Sequence, residues 1–203
     1  MLTKGAPMET KELILKVSKE EFINNGYNNT SLRDIAKKCH ITPTAIYRHF
    51  INKEDIFNEI LKPLFTYFNE ITNIIETTDY KLLEDKNPSD VWDFEREGNF
   101  YFNLLFGEFN DLVKLLIKEK KIWFKNYIVN YEFEETIKYI NEMKKCNYKI
   151  NSFNEISFRI LLDSYLEAYI SLLNMNVDDE KLKEVCGEIN KFYTIGFRNL
   201  LGF

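Results

Sequence analysis

Two helix starts stand close together near the beginning of the chain, and they constrain its fold more than any other feature. Ser31 precedes Asp34 by three positions, the spacing of a capping box, in which the hydroxyl and the carboxylate each accept a backbone N–H. Thr42 followed by Pro43 marks the second start, because threonine caps well and proline at the first helical position gives up an N–H that has no partner there. Only a tight turn fits between the two helices, so the segment predicts a helix-turn-helix.

Apolar side chains on both helices and in the turn would bury one helix against the other. They are Ile35, Ala36, Ile41, Ile46 and Phe50. The outward face of the second helix then carries small, hydroxylated and long polar side chains that can approach base edges and phosphate oxygens. These residues are Pro43, Thr44, Ala45, Tyr47, Arg48, His49 and the following Lys53. We interpret this helix as a DNA-recognition helix; an ordinary helical hairpin with a solvated face is the alternative.

A longer series of residues in this region resembles a known family. The series is Gly26-Tyr27, Thr30-Ser31-Leu32-Arg33-Asp34-Ile35-Ala36, Ile41-Thr42, Ile46-Tyr47, Phe50 and Asn52-Lys53-Glu54-Asp55. It resembles the N-terminal DNA-binding domain of the TetR family of transcriptional regulators. One position departs from the family's pattern, because His40 stands in the turn where the family usually has glycine. If that position needs a positive φ, histidine is tolerated there at a cost in strain.

The resemblance implies a role for each matching polar residue. Those expected near bases are Arg33, Pro43, Thr44 and Arg48. Those expected to contact phosphates are Ser31, Thr42, Tyr47, His49 and Lys53. The resemblance also implies a double-stranded DNA operator as partner, a homodimer, and a pocket for a small-molecule effector in the central part of the chain.

The charge of the chain is unevenly distributed. The net charge of −5 over 203 residues argues against a generally basic nucleic-acid-binding surface. Residues 1–55, however, carry nine Lys or Arg and seven Asp or Glu, so the remainder is strongly acidic. This asymmetry fits a small DNA-facing domain joined to an acidic body whose field repels phosphate. With 45% hydrophobic residues, the chain can bury one large core or two smaller ones.

The fold class that the sequence predicts is all-α. An N-terminal three-helix DNA-binding domain with the helix-turn-helix would occupy residues 1–52, and a larger helical ligand-binding and dimerisation domain would occupy residues 53–203. The first helix is expected to start with Thr10 as its cap and to stop at Gly26.

A fourth helix should open at Asn52-Lys53, and its apolar stripe runs to Ile75, further than a DNA-binding domain needs. Pro63 should bend or break it, either as a fixed kink or as a hinge. Polar, turn-like sequence follows over residues 77–87.

Aromatic residues crowd the middle of the chain and exceed what one helical stripe accommodates. A pocket between helices, apolar with a few polar groups, is where a small ligand would bind. The candidate pocket residues are Trp92, Tyr101, Phe102, Phe106, Trp123 and Tyr127. Plain core packing is the alternative for each of them. An acidic, aromatic-rich body favours a flat apolar or cationic ligand, and lipid-like effectors are nearly as well supported.

Two long apolar helices are predicted to close the chain, one beginning at Asn154 and one at Asp178-Asp179. Their apolar faces exceed what their own domain can cover, which indicates a homodimer with a four-helix interface. The candidate interface residues are Tyr165, Tyr169, Ile189, Phe192, Tyr193 and Phe197. Gly187 and Gly196 would allow close approach of a partner helix.

Catalysis has little support in the sequence. His40 and His49 both fall in the predicted DNA-binding domain, so no Ser–His or Cys–His pair can form in the larger one. Carboxylate pairs such as Glu134-Glu135 are expected on a solvated helix face. The sequence shows no metal-ligand spacing and no glycine-rich phosphate loop, so we expect no metal and no cofactor. With no run of eighteen apolar residues and no signal-peptide core, we expect a cytoplasmic protein without membrane contact.

These observations lead to one main hypothesis. The chain is expected to be a ligand-responsive transcriptional regulator and not an enzyme: a repressor that releases a palindromic operator when a small apolar or cationic molecule binds its C-terminal domain. Two alternatives stay open. A DNA-binding dimer could use its helical body to hold a protein partner, and an all-helical enzyme or carrier could contain a hairpin that only resembles a DNA reader.

Overall fold

The computed structural model describes residues 9–84, 94–175 and 177–202, and the regular structure within these ranges is helical. The helices are α1 (Thr10–Asn25), α2 (Leu32–Lys38), α3 (Pro43–Ile46), α4 (Lys53–Glu84), α5 (Phe94–Phe106), α6 (Asn110–Lys145), α7 (Glu155–Leu172) and α8 (Asp179–Leu201). The predicted all-α fold class is confirmed. None of the described helices is long and apolar enough to cross a membrane. Trp92 lies outside the described residues.

The chain divides into two compact units, Met1–Thr66 and Tyr67–Phe203. The core of the first unit is an aromatic cluster in which Tyr27 packs against Phe22 and Phe57, with ring centroids 5.2 and 4.9 Å away. Fully buried isoleucines complete it from α1, α2 and α3; these are Ile14, Ile35 and Ile46. Because Phe57 lies on α4, the first turns of that helix belong to the first unit, although the second domain was predicted to start at residue 53.

Helix α1 ends as predicted but begins differently. Gly26 follows its last residue with a φ of 85°, and the Gly26 N–H donates to the carbonyl of Phe22. This left-handed stop suits glycine, which carries no Cβ. At the other end, Thr10 is already helical and Glu9 occupies the cap position without a side-chain hydrogen bond, so the prediction of a Thr10 cap is wrong.

Helix α4 is longer than the sequence pattern indicated. It continues to Glu84, so the turn predicted from residue 77 is wrong over 77–84. The Thr77 and Thr78 hydroxyls each donate to the carbonyl four residues earlier, at 2.7 and 2.8 Å, which satisfies them within the helix. Leu83 then lies buried against α6 side chains. Pro63 is exposed and the helix runs through it without a break.

The second unit is built from the rest of α4 together with α5–α8. Helix α6 changes direction at Lys120, whose φ of −141° and ψ of 40° are not helical. Beyond this kink, α6 is tied to α7 by ion pairs: the ammonium of Lys125 lies 2.9 Å from Asp163 and 2.8 Å from Glu167. Lys121 adds a third pair with Glu167 at 2.6 Å.

The predicted starts of the last two helices are confirmed. The side chain of Asn154 accepts the N–H of Ser157 at 3.0 Å and begins α7. The side chain of Asp178 accepts the N–H of Lys181 at 2.8 Å and begins α8. These caps satisfy orphan donors locally, which is why the sequence alone located them.

Ser18 on α1 offers a test of the first core. Its side chain is fully buried, and its hydroxyl has no hydrogen-bond partner among the described residues. We expect Ser18→Ala to raise the free energy of unfolding by about 1 kcal/mol, because it removes an unsatisfied buried oxygen, keeps the Cβ and favours the helix. Urea denaturation with an unchanged m-value is the measurement.

The control for this variant is Ser171→Ala on α7. The exposed Ser171 hydroxyl donates to the carbonyl of Glu167 at 2.8 Å, so replacing it tests helix propensity without a buried unsatisfied group. A change no larger in Ser18→Ala than in the control would contradict the prediction.

Candidate functional site

The first half of the helix-turn-helix is organised by the predicted capping box. The Ser31 hydroxyl accepts the N–H of Asp34 at 3.2 Å, and the Asp34 carboxylate accepts the N–H of Ser31 at 3.1 Å. Hydrogen bonds from Ser31 also hold the pKa of the Asp34 carboxyl below its usual value, with Lys37 and Lys38 adding smaller effects. The carboxylate therefore stays ionised, and α2 begins at the residue that the sequence indicated.

The second half begins at Thr42, whose hydroxyl accepts the N–H of Ala45 at 3.3 Å, with Pro43 in the first turn. Helix α3 itself is only four residues long, shorter than expected. The chain then tightens into successive turns, in which the Arg48 N–H donates to Ala45 at 3.3 Å and the His49 N–H donates to Ile46 at 2.9 Å. The residues after α3 therefore keep a helix-like path.

The structure separates this hairpin into a buried and an exposed face. Ile46 and Phe50 lie in the core, whereas Tyr47 between them is 59% exposed. Eight of the nine predicted DNA-contacting residues are exposed: Ser31, Arg33, Thr42, Pro43, Thr44, Tyr47, Arg48 and His49. Their side chains are available to a nucleic acid, and none is needed to fill the core.

The turn between α2 and α3 places a histidine at a position whose backbone conformation favours glycine. His40 has a φ of 56°, in the left-handed region that glycine adopts most easily. The turn is closed by the Ile41 N–H, which donates to the carbonyl of Ala36 at 3.0 Å. The position therefore does require a positive φ, and this chain accepts the strain of a histidine in it.

Lys53, the ninth predicted contact, is only partly exposed. Its ammonium donates to the carbonyl oxygens of Tyr27 and Thr30 at 2.7 and 2.9 Å and lies 4.2 Å from the centre of the Tyr27 ring. Two of its three donors are thus used to fix the loop between α1 and α2 to the start of α4. These contacts give Lys53 a structural role, and its contact with a phosphate stays a prediction.

Known proteins resemble the chain in the region of this helix-turn-helix. The sequence profile of the family described as bacterial regulatory proteins, tetR family, covers residues 14–60, which span the hairpin and the start of α4. Over residues 14–60 the chain therefore matches the N-terminal region of TetR-family regulators.

Two relatives are similar to this chain over a short region. The transcriptional regulator UidR of Escherichia coli K12 is 38% identical over 61 residues, 30% of this chain and 30% of that protein. The regulator AcrR of Shigella flexneri is 45% identical over 58 residues, 29% of this chain and 27% of that protein. The matches therefore span less than a third of the length of these relatives.

One solved structure resembles the chain over nearly its whole length. It is a transcriptional regulator from Aquifex aeolicus, 25% identical, with a TM-score of 0.51 over 91% of this chain and 99% of that one.

The second unit contains two neighbouring cavities. The first lies between α4, α5 and α6, and its volume of about 530 Å³ includes open solvent at its mouth. Its polar lining consists of Thr72, Glu76, Asp79, Tyr80, Tyr131, Glu132, Glu135, Thr136 and Tyr139. The second is lined by α5, α6, α7 and α8, and its volume of about 430 Å³ likewise includes open solvent. Glu132 and Thr136 line both cavities.

Glu132 has a strongly perturbed carboxyl group. Its pKa is raised to about 7, chiefly by burial; a hydrogen bond with Tyr101 lowers it, and repulsion from Glu135, Glu76 and Asp79 adds to the increase. Tyr131 donates a hydrogen bond to Glu76, and burial together with that carboxylate raises the pKa of the Tyr131 phenol. The cavity is therefore a desolvated, acidic environment.

The predicted pocket residues lie mostly elsewhere. Among the described ones, only Tyr101 lines either of the two cavities. Phe102 and Phe106 are partly exposed and contact each other, and Trp123, which is 50% exposed, stacks on Tyr127. The predicted pocket residues therefore coincide with these two cavities only at Tyr101.

The carboxylates were missed because Glu134-Glu135 was assigned to a solvated face. Glu134 is exposed, but Glu135 lines the first cavity. The available signal was helical spacing: Glu132, Glu135 and Thr136 share one face of α6. Glu76 and Asp79 are spaced in the same way on α4.

The predicted dimer residues divide into two groups. Three of them are buried within the single chain: Tyr165, Tyr169 and Phe197. The rings of both tyrosines pack against that of Tyr101, with ring centroids 4.9 and 5.3 Å apart. This corrects the prediction, since such residues form the core of the protomer. Phe192, by contrast, is 74% exposed. Ile189 and Tyr193 are partly exposed.

We expect Glu132 to make stability depend on pH. Its folded pKa of about 7 exceeds the ordinary value of 4.5, so the folded state binds the proton more tightly and its stability falls as the pH rises through this interval. In Glu132→Gln this loss is absent. The free energy of unfolding of the variant relative to the wild type should therefore increase between pH 5 and pH 8, by on the order of 2 kcal/mol.

Urea denaturation at both pH values measures this difference. Glu134→Gln is the matched control, because Glu134 is exposed on the same helix and does not line the cavity. A variant difference that is the same at pH 5 and pH 8 would show that Glu132 is not desolvated.

Proposed function

We propose that this chain is a transcriptional regulator that binds a palindromic operator as a homodimer and releases it when a small molecule occupies its second unit. The observation that carries the proposal is the exposed face of the helix-turn-helix, on which Thr44, Tyr47 and Arg48 stand above a buried hydrophobic layer. An arginine on such a face can read a guanine edge with two hydrogen bonds, and a tyrosine hydroxyl can reach a phosphate. Repression follows if the bound dimer covers a promoter.

A dimer is part of this proposal because one recognition surface contacts too few phosphates for tight, specific binding in an acidic protein. Two copies would place their recognition helices in successive major grooves roughly 34 Å apart. Exposed apolar side chains on α7 and α8 support a partner on that side of the second unit; they are Ile156, Ile160, Leu161, Phe192 and Ile195. Apart from the backbone of α8 itself and the adjoining residues, no described atom lies within 4 Å of a Cβ built at Gly187 or Gly196, so a partner helix can approach there.

DNA recognition is tested by selecting duplexes from a random pool with the purified protein and sequencing those retained. We expect a palindromic motif whose binding weakens with added salt. Arg48→Ala should lower affinity for the selected duplex by roughly 10- to 100-fold, because a bidentate contact to a base is worth about 1–3 kcal/mol. Tyr47→Ala should also weaken binding.

Lys144→Ala is the control, since it removes an exposed cation from the second unit and should leave affinity within about twofold. Enrichment of no motif at low salt would contradict the proposal and favour a helical carrier or enzyme. Operator binding without any response to small molecules would favour a regulator whose body holds a protein partner.

Dimerisation is tested by introducing a charge on the exposed face of α8. We expect Phe192→Glu to raise the dimer dissociation constant by about 30-fold or more, because a central apolar anchor typically contributes at least about 2 kcal/mol. Sedimentation velocity across a concentration series is the measurement. Ile122→Glu is the control, because Ile122 is similarly exposed on α6. Equal effects of both substitutions would place the interface elsewhere.

A further inference from the structure

Helix α1 carries a buried carboxylate. Glu21 is only 6% exposed, although glutamate rarely lies inside a protein unless it is paired. Both of its carboxylate oxygens have partners: Oε2 accepts a side-chain N–H of Asn25 at 3.1 Å, and Oε1 forms an ion pair with the ammonium of Lys38. Because a buried charge without such partners is costly, these contacts fix the side chain in one position.

Glu21 contacts the chain at both ends of α2. Lys38, its ion-pair partner, is the last residue of that helix. At the other end, the backbone carbonyl of Glu21 accepts the hydroxyl of the buried Thr30 at 3.4 Å, and the same hydroxyl lies 2.9 Å from the carbonyl of Gly26. Thr30 directly precedes Ser31, the cap of α2. One residue of α1 therefore holds the beginning and the end of the neighbouring helix.

These polar contacts add direction to the packing of α1 against α2. The apolar contacts of the first core attract the helices to each other, but the hydrophobic effect has no preferred direction. Hydrogen bonds and charge-assisted pairs weaken when their geometry is poor, so they favour one orientation of α2.

The orientation of α2 also determines where the exposed face of the hairpin points. The Ile41 N–H closes the turn onto Ala36, and α2 and α3 share one buried apolar layer, so the two helices move together. Arg33 lies on α2 itself, and Arg48 follows α3. A change in the direction of α2 would therefore displace both arginines that are expected near bases.

We propose that Glu21 is a positioning residue for DNA recognition, which sets the direction of α2 through Lys38 at one end and Thr30 at the other. The assignment rests on the proposed operator-binding function, and it adds a residue that is not among the exposed side chains expected to contact DNA. The negative charge of Glu21 by itself disfavours DNA, because phosphates repel it. Any favourable contribution of Glu21 to DNA binding must therefore act through the hairpin.

The sign of the effect of Glu21→Gln separates positioning from charge. This substitution removes one negative charge with little change in shape, so electrostatics alone predicts stronger binding to any duplex. Positioning predicts the opposite for the selected operator: affinity should fall about tenfold, because a displaced hairpin loses contacts with base edges. Affinity for a shuffled duplex, which depends on phosphate contacts, should not fall. Fluorescence anisotropy with both labelled duplexes at low salt is the measurement.

Glu20→Gln is the matched control, because Glu20 is the adjacent residue of α1, is exposed and carries the same charge. Its operator affinity should equal or slightly exceed that of the wild type. Equal effects of the two substitutions would overturn the proposal. It would also be overturned if Glu21→Gln lowered affinity for both duplexes by the same factor, since this would indicate a loss of folded protein.

Lys38 tests the pair from its exposed side, where a substitution removes no core side chain. Lys38→Met should lower the ratio of operator affinity to shuffled-duplex affinity, whereas Lys38→Arg keeps a cation within reach of Glu21 and should restore the ratio. In the double variant Glu21→Gln/Lys38→Met, the ratio should be no lower than in the weaker single variant, because both substitutions break the same pair. Effects that multiply in the double variant would contradict the proposal.

The same measurements distinguish this assignment from the proposed function. Selection of a palindromic motif by the wild type, together with an unchanged affinity ratio in Glu21→Gln, would sustain the regulator and overturn the positioning role. Enrichment of no motif by the wild type would contradict both proposals.

Discussion

The ammonium group of Lys53 is the contact on which the first unit depends. It joins the first residue of α4 to two carbonyl oxygens of the loop after α1, and it lies over the Tyr27 ring. The same tyrosine donates to Glu54 at 2.9 Å and packs against Phe57. Polar and aromatic contacts thus fix the start of α4 to the loop that precedes the helix-turn-helix. Most of the exposed side chains of the hairpin lie outside this cluster, although the Ser31 and Thr42 hydroxyls also cap their helices.

The second unit differs from the first, because it holds a carboxyl group, that of Glu132, whose desolvation lowers its stability at neutral pH. Glu132 has its pKa raised by desolvation, and Asp79 is only 6% exposed beside it. A core chosen for stability alone would place apolar residues there. A carboxyl group with a raised pKa beside a cavity is a candidate functional group.

Local signals made much of the fold predictable. The caps at Ser31, Thr42, Asn154 and Asp178 depend on residues within four positions of each other, and all four were located from the sequence. The sequence left open whether position 40 needs a positive φ, and His40 adopts one. Interactions within one turn of chain leave a direct trace in the sequence.

Contacts between distant helices left no such trace. Tyr165 and Phe197 are apolar at helical spacing, and only the packing of α7 and α8 in three dimensions decides that they face their own core. Glu135 and Glu134 are equivalent in the sequence, yet a cavity formed by α4 and α6 receives one and solvent the other. The extension of α4 beyond residue 77 was missed for a related reason, because threonines that favour turns in isolation are satisfied by carbonyls of the helix itself.

Helix α4 gives the two proposed activities a common element. Its first turns hold Lys53 and Phe57 in the first unit, and its later turns supply Glu76 and Asp79 to the cavity of the second. A ligand that binds in the cavity more strongly in one arrangement of α4 than in another must bias that helix, and DNA that prefers the other arrangement must bias it back. Linkage then requires the ligand to weaken DNA binding by the same factor as DNA weakens ligand binding.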